Sequence, residues 1–158
     1  MLTLREWIDA DADPLFRWMS DPIAVLMAAF TADDPSDRGA FDAWLARIAA
    51  RDDVLRRTAV EDGEPVGSIS FFTMEGEREI TYWTDPARWG RGIATRMVAA
   101  ALALEPIRPI YGRAASANLA SLAVLRRAGF VEVNRDRGFA PGVGAEVEET
   151  ILRLDAPA

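Results

Sequence analysis

The chain contains no cysteine, no histidine and no lysine, so all 18 of its basic residues are arginines. Without cysteine there is no disulfide framework, no thiol nucleophile and no thiolate metal site. Without histidine, the commonest general base and the commonest transition-metal ligand are also absent. Acid–base chemistry must therefore come from Asp, Glu, Tyr, Ser or water, and we expect no metal site.

Long hydrophobic runs are missing as well. The longest apolar stretch near the front of the chain is Ile23–Phe30, far short of the ~18 residues that a membrane span needs. The opening Met1–Trp7 alternates and carries an early acid, which is unlike a signal peptide. We therefore expect a soluble, cytoplasmic protein without a membrane partner.

An excess of positive charge is also lacking, because the formal net charge is −7. Nucleic-acid binding is not expected, since such proteins normally present a basic face. The acidity keeps the protein in solution or attracts a cationic acceptor, and charge alone leaves both interpretations open. The length of 158 residues, half of them apolar, indicates one globular domain spanning residues 1–158.

Hydrophobic periodicity and turn residues divide the chain into strands and helices. The predicted elements are a strand at Leu2–Trp7, a helix from Asp13, a helix from Ser36 or Asp37 to Arg51, strands at Leu55–Glu61, Val66–Thr73 and Glu77–Thr84, a helix from Ile93 to Leu104, a strand at Ile107–Ala114, a helix at Asn118–Ala128, and strands at Phe130–Asn134 and Val147–Leu154 around a glycine-rich loop at Gly138–Gly144. Short turns join the three central strands into an antiparallel meander. This order predicts an α+β (mixed α/β) fold, with a mostly antiparallel sheet of about six to seven strands flanked by about four helices.

The segment from Tyr82 to Thr95 carries the clearest chemical signal. A strand leads into a short loop, and Gly90 and Gly92 stand at the start of the next helix. The first N–H groups of a helix have no partner within it, and the helix dipole adds partial positive charge there. Glycine also lets phosphate oxygens approach the backbone closely. The pattern predicts an anion site, although a turn without a ligand would contain the same glycines.

Three stretches of the chain together resemble the GNAT superfamily of N-acyltransferases. The run Trp89-Gly90-Arg91-Gly92-Ile93-Ala94 is similar to its pyrophosphate loop, Gln/Arg-x-x-Gly-x-Gly/Ala, with Trp at the first position. This spelling is close to the branch of Rim-type ribosomal-protein N-terminal acetyltransferases. Asn118–Ser121 with Leu125–Phe130 resembles motif B, and Leu2–Trp7 resembles the opening of that branch. The resemblance covers nearly the whole chain in the family's order.

The resemblance implies a GNAT-like fold and the direct attack of a primary amine on the thioester of acetyl-CoA. No covalent enzyme intermediate is expected, so alignment of the two substrates would supply much of the rate. The residues that the resemblance assigns to CoA are Tyr82, Trp83, Thr84, Trp89, Gly90, Arg91, Gly92, Ile93, Ala94, Thr95, Asn118 and Ser121.

The resemblance also implies three catalytic roles. A backbone N–H of the Tyr82–Thr84 stretch, with Trp83 as the best single choice, would stabilise the oxyanion. Glu79 would take the proton from the ammonium directly or through water, and Ser121 would return a proton to the thiolate. Carboxylates of the last strand compete with Glu79 for the role of base, namely Glu146, Glu148 and Glu149. Each of the three residues also has a purely structural interpretation: Trp83 as a core aromatic, Glu79 as a paired surface charge and Ser121 as a residue of the first helical turn.

Other functions and the acceptor remain open at this level. A sensor or scaffold that binds acyl-CoA without turnover would keep the loop at Gly90–Thr95 but would not need Glu79. A nucleotide-binding protein is a weaker alternative, because neither the Walker pattern nor the full dinucleotide pattern is present. A protein N-terminus, an antibiotic, a polyamine and an amino acid all fit as acceptors. The oligomeric state is also open, with a homodimer through sheet edges as one outcome.

Overall fold

The elements occur close to the positions that the sequence predicts. A computed structural model describes residues 1–157. In chain order the elements are β1 (Thr3–Glu6), α1 (Ala12–Ser20), α2 (Pro22–Ala28), α3 (Arg38–Ala49), β2 (Leu55–Glu61), β3 (Glu64–Met74), β4 (Glu77–Thr84), α4 (Ile93–Leu102), β5 (Ile110–Ala115), α5 (Leu119–Arg127), β6 (Val131–Ala140) and β7 (Ala145–Leu154). Single turns of 3₁₀ helix lie at Asp9–Asp11 and Pro86–Arg88.

All seven strands belong to one sheet, in the order β1-β2-β3-β4-β5-β7-β6. Every neighbouring pair is antiparallel except β4 and β5, which run parallel. The chain therefore crosses over through α4 between β4 and β5, as a parallel connection requires. The predicted fold class, a mixed fold around a mostly antiparallel sheet, is confirmed.

Helix α2 is an element that the sequence analysis did not assign. Asp21 caps it, because its carboxylate accepts hydrogen bonds from the N–H groups of Ile23 and Ala24, and Pro22 occupies the first turn. Aspartate followed by proline is a favourable helix start. The apolar run Ile23–Phe30 is thus mostly a short helix, and the fold has five α-helices within residues 1–157 rather than four.

Two predicted boundaries near the end of the chain need correction. Strand β6 continues to Ala140, so Gly138 pairs with Val147 inside the sheet instead of lying in a loop. The connection to β7 shrinks to residues 141–144. The additional strand residues form backbone hydrogen bonds with β7, and the local sequence does not predict this pairing. Strand β5 begins at Ile110 rather than Ile107, since Pro109 cannot donate to a ladder.

Two apolar clusters pack on opposite faces of the sheet. The larger one lies under α4 and α5 and contains the fully buried Phe71, Met97 and Leu152. The smaller one lies under α1 and α3 and is formed by Leu15, Trp18 and Phe41, with the side chain of Trp83 packed against it from the sheet. No helix in the described part of the chain is both long and apolar enough to cross a bilayer.

Candidate functional site

A cleft opens where β4 and β5 part. The two strands are in register for only three pairs, from Arg78 opposite Ile110 to Ile80 opposite Gly112. Beyond this point β4 continues to Thr84 and β5 to Ala115 without pairing to each other. The gap exposes unpaired backbone of both strands to a cavity of ≈ 670 Å³ that is also lined by α2, α4 and α5.

The sequence-predicted site residues converge on this one cavity. Those that line it are Glu79, Tyr82, Trp83, Thr84, Trp89, Gly90, Gly92, Ile93, Ala94, Thr95, Asn118 and Ser121. Arg91 is the exception: its side chain does not reach the lining, and its carbonyl accepts a hydrogen bond from Arg96.

The glycine loop forms one end of the cavity. Gly90 has φ 82° and Gly92 has φ 72°, a left-handed conformation that side chains rarely adopt, and a Cβ at either position would meet no atom within 4 Å. Gly92 is the N-cap of α4 and offers no capping side chain. The next three N–H groups, of Ile93, Ala94 and Thr95, have no hydrogen-bond acceptor within residues 1–157. This arrangement leaves room and donors for an anionic group.

Two arginines that line the cavity differ in whether they are free to bind an anion. Arg88 lines the cavity but is paired with Glu64 and Asp85. Arg127, at the end of α5, also lines the cavity, and it forms no ion pair in the part of the chain that the structure describes. Sequence reasoning quoted Arg127 inside its motif without giving it a role. Because it is exposed, lines the cavity and is not paired within residues 1–157, Arg127 is a better candidate than Arg88 to contact a phosphate.

Backbone register decides which amides of β4 face the gap. A two-residue turn at Glu75 and Gly76 closes the β3–β4 hairpin, so Met74 and Glu77 exchange hydrogen bonds and every second pair does the same. The N–H of Asp85, which bonds the carbonyl of Val66 at 2.9 Å, continues this alternation. Residues of odd number in β4 thus direct their amides toward β3.

Within the Tyr82–Thr84 stretch that the sequence offers for the oxyanion, this register favours residues other than Trp83. Its amide points toward Ser68 of β3, and its side chain packs in the cluster under α1 and α3. The amides of Tyr82 and Thr84 face the side where β5 has departed. The residue types of the motif cannot show this, because the amides of successive residues point alternately to the two edges of a strand.

A pair of hydroxyl groups lies where the cavity passes between β4 and α5. The Tyr82 hydroxyl is 2.8 Å from Oγ of Ser121, and either oxygen can be the donor. Burial raises the pKa of Tyr82 to about 12, although the hydrogen bond from Ser121 works against this shift. The sequence predicted Tyr82 as a CoA contact and as part of the stretch that offers an oxyanion donor, but it gave no role to the side-chain hydroxyl, so the contact with Ser121 is new information from the tertiary structure.

Asn118 holds the start of α5. Its side-chain oxygen accepts a hydrogen bond of 3.2 Å from the N–H of Ser121, so it caps the helix. Its amide nitrogen is left for other partners, and the residue lines the cavity. The structural role and the expected CoA contact are therefore compatible in one side chain.

A carboxylate–guanidinium chain lies on the opposite side of the sheet from the hydroxyl pair. Arg113 donates to Glu79 over 3.2 Å and to Glu149 over 3.3 Å, and all three side chains line the cavity. Glu79 is buried, and burial raises the pKa of its carboxyl despite the opposing charge of Arg113. Two carboxylates around one guanidinium leave one net negative charge facing the cavity.

The three carboxylates of β7 that compete with Glu79 do not all face the cavity, because successive side chains of a strand point to opposite faces of the sheet. Glu149 lines the cavity, whereas Glu146 and Glu148 do not, and Glu148 instead accepts a 2.8 Å hydrogen bond from Arg135. Sequence reasoning had left all three open, because it did not fix which face each would occupy. Among residues 1–157, no group of three carboxylates is arranged to hold a metal ion.

Comparisons with known proteins agree with this architecture. Residues 1–131 match the family described as the acetyltransferase (GNAT) domain. The structure is similar to Mycobacterium smegmatis RimJ in complex with CoA-disulfide, with 26% identity, a TM-score of 0.78, and 98% of this chain and 82% of that chain covered. It is also similar to the ribosomal-protein-alanine N-acetyltransferase from Brucella melitensis, with 20% identity, a TM-score of 0.81, and 98% and 99% covered.

A third similar structure is the aminoglycoside acetyltransferase AAC(6')-Ib in complex with ribostamycin and coenzyme A. It has 19% identity, a TM-score of 0.71, and coverage of 95% of this chain and 92% of that chain. A search of curated protein sequences found no significant match.

Proposed function

The chain belongs to the GNAT acetyltransferase domain family, and from this premise we propose that it transfers an acetyl group from acetyl-CoA to a primary amine by direct attack in a ternary complex. The acceptor is a protein N-terminus or a small-molecule amine. The observation that carries the proposal is the single cavity at the β4–β5 gap, which joins an anion-ready helix start, a hydroxyl pair and a buried carboxylate.

The proposed donor site runs from the glycine loop into the gap. The free N–H groups after Gly92 bind the pyrophosphate, and Arg127 adds a positive charge to the cavity lining. The pantetheine arm takes the place of the missing strand partner along the end of β4, where unpaired amides are available. The thioester then lies beside Tyr82 and Ser121.

Glu79 is the proposed base. It lies on the face of the sheet opposite the hydroxyl pair, and we assign this face to the acceptor. Burial raises the pKa of the Glu79 carboxyl, so this pKa is closer to that of an amine than the pKa of an exposed carboxylate is. The net negative charge that it shares with Glu149 and Arg113 attracts the ammonium form of the amine. Proton transfer to Glu79, direct or through water, then leaves the neutral nucleophile.

The oxyanion and the leaving group complete the proposal. The amide of Tyr82 or Thr84 donates to the oxyanion, a contribution typically worth about 10²–10³ in rate. A hydroxyl with a pKa of about 12 is a weak acid toward a thiolate whose conjugate acid has a pKa of ~8.5, since such a transfer is uphill by roughly 5 kcal/mol. Ser121 with Tyr82 is therefore proposed to relay a proton that originates on the attacking nitrogen.

The decisive experiment combines turnover with product identification. The protein is mixed with acetyl-CoA and a panel of amines, CoA release is followed with a thiol reagent, and products are analysed by mass spectrometry. Steady release of CoA with an acetylated product supports the enzyme. Binding of acetyl-CoA without turnover of any amine would instead support the sensor or scaffold alternative.

A loop variant tests the donor site separately. Gly92→Glu places a carboxylate where the pyrophosphate is proposed, so acetyl-CoA should no longer raise the melting temperature. Gly63→Glu is the matched control, because Gly63 has φ 78° in the β2–β3 turn and the same backbone strain away from the cavity. Equal loss of binding in both variants would contradict the assignment of the loop.

Cytoplasmic location and independence from nucleic acid and membranes stay predictions. A homodimer also stays one; β6 is the sheet edge nearest the cavity-forming strands and carries mostly exposed residues.

A further inference from the structure

A second, smaller pocket adjoins the acceptor side of the cleft. It has a volume of ≈ 300 Å³ and lies between helices α1 and α3 and the sheet. Four residues line both this side pocket and the main cleft: Phe72, Thr81, Tyr82 and Trp83. A molecule placed at Glu79 could therefore extend into the side pocket without leaving the protein surface.

Arg56 is an unexplained cation in the wall of the side pocket. Its Nη1 atom is buried without a hydrogen-bond partner, and its side chain forms no ion pair in the described part of the chain. Its guanidinium lies 4.0 Å from the ring centroid of Trp7, which holds one face of it by a cation–π contact. A buried donor without a partner is destabilising, and such a donor in a pocket wall indicates that a ligand accepts its hydrogen bond.

No carboxylate contacts Arg56 directly within residues 1–157, although Asp11 attracts it at longer range. Asp11 is already held by Arg5 at 2.8 Å, by the hydroxyl of Thr58 at 2.7 Å and by the N–H of Ile8 at 3.0 Å. The other arginine of the pocket, Arg51, is bound to Asp53 through two hydrogen bonds. Within the described residues, the side pocket therefore contains one positive charge without an ion-pair partner.

The remaining walls define the shape of the occupant. Ser70 and Thr81 provide hydroxyl groups in register with Arg56 across three strands, and Trp44, Phe72 and Trp83 provide apolar walls. One positive charge in a fork geometry matches one carboxylate. The apolar walls match a short hydrocarbon segment that leads to it.

Sheet geometry sets the distance between this anion site and the proposed base. Arg56 and Glu79 lie two strands and two residues apart on the same face, which places their Cα atoms about 12 Å apart. Side chains stand roughly perpendicular to a sheet, so their head groups keep a similar separation. The amino group and carboxylate of an α-amino acid are too close together to reach both sites.

We propose that the side pocket binds a carboxylate of the acceptor, and that the preferred acceptors are primary amines whose carboxylate is several bonds away from the amino group. This inference rests on the proposed acetyl transfer at the same cleft. Arg56 serves as a specificity-determining residue, Ser70 and Thr81 add hydrogen bonds to the carboxylate, and Glu79 receives the ammonium end.

A matched ligand pair tests the proposal. Acetylation of 6-aminohexanoate is compared with that of 6-aminohexanamide, which differs only in the charge of its far end. We expect kcat/KM of the wild type to favour the acid by about tenfold or more, the effect of one hydrogen-bonded ion pair. Arg56→Met should remove this preference, and Ser70→Ala should reduce it.

Control variants separate recognition from folding. Arg57→Met removes the same charge from the opposite face of β2 and should leave the preference unchanged. Arg56→Met should not lower the melting temperature, because it removes an unpaired buried donor. If Arg56→Met fails to fold, the smaller change in Ser70→Ala carries the test.

Binding by calorimetry to the CoA-bound protein keeps the two proposals distinguishable. Equal acetylation of both ligands would overturn the side-pocket inference and leave the transferase proposal intact. Arg56-dependent binding of the acid without acetylation of any amine would support the side pocket and count against the transferase. Absence of binding and of turnover for the acid, with turnover of other amines, would also overturn the inference.

Discussion

Two ion pairs begin on adjacent residues of β4 and point to opposite faces of the sheet. Arg78 bonds Glu105, which follows α4, and the side chains of the pair are 7% and 4% exposed. Glu79 bonds Arg113 of β5, and this arginine is 36% exposed toward the cleft. The same residue types therefore meet two environments that differ by one step along one strand.

The difference shows how the fold assigns a charge to structure or to chemistry. Arg78 also bonds the carbonyl of Asp53, so it ties the end of α4 to the loop before β2 and has no free access. Glu79 lies where β4 and β5 still pair, immediately before the gap, and its pair opens onto a cavity. Loss of one partner from the closed pair would leave an uncompensated buried charge, whereas the open pair can exchange a partner for a substrate.

The largest effect is expected from removing the charge of the open pair. Glu79→Gln preserves shape but loses basicity, so kcat should fall by about 10²–10⁴ while the affinity for acetyl-CoA stays unchanged. Steady-state kinetics and calorimetry measure the two quantities. A loss of less than about threefold in kcat would make Glu79 a structural charge and would shift the base to Glu149 or water.

The second effect is expected from breaking the closed pair. Glu105→Gln leaves Arg78 buried beside a neutral group, which should lower the free energy of unfolding by about 3–5 kcal/mol. Urea denaturation measures this loss, and activity per folded molecule should be retained. Glu132→Gln is the control: it removes a partner of the exposed Arg135 and should lower the free energy of unfolding far less.

A smaller effect is expected from the cation of the open pair. Arg113 lowers the pKa of Glu79 against the raising effect of burial, so Arg113→Met should raise that pKa further. The acidic limb of the kcat profile should move to higher pH, with roughly tenfold lower activity on that limb. An unchanged profile would mean that Glu79 is not the group that titrates in catalysis.

The smallest effect concerns stability and pH. The pKa of Glu79 is raised in the folded state, mainly by burial, so its favourable contribution is complete below the ordinary glutamate pKa and is lost as pH rises through the raised one. Relative to wild type, Glu79→Gln should therefore be more stable at neutral pH than at pH 4. Urea unfolding at both values measures this difference, and the opposite sign would contradict the direction of the shift.

Much of the fold could be read from local signals. The hairpin turn at Glu75 and Gly76, the cap at Asn118 and the glycines of the loop each lie where the sequence predicts them. These features depend on a few neighbouring residues, so a linear pattern can encode them. Helix α2 and the long β6 were missed, because a seven-residue helix and a paired edge strand depend on their tertiary neighbours.

The candidate site divides in the same way. Glu79, Ser121 and the loop could be identified from motif order, and all of them line the cleft. The contacts of Arg113 and Tyr82, and the direction in which each amide of β4 points, could not be predicted. They depend on strand register and on contacts between distant residues, such as Tyr82 with Ser121 and Glu79 with Arg113, which lie more than thirty positions apart.

By itself, the sequence determined the chemical inventory and the local geometry: no histidine or cysteine, a helix start fit for an anion, and one well-positioned carboxylate on β4. Only the tertiary structure decided that β4 and β5 part after Ile80 and Gly112. It also decided that the ion pair of Arg78 is buried while that of Glu79 opens onto the cleft, and that Nη1 of Arg56 lacks a hydrogen-bond partner. The physical reason is that turns and caps are satisfied by near neighbours, whereas burial and pairing of a charge depend on which distant strands and helices fold over it.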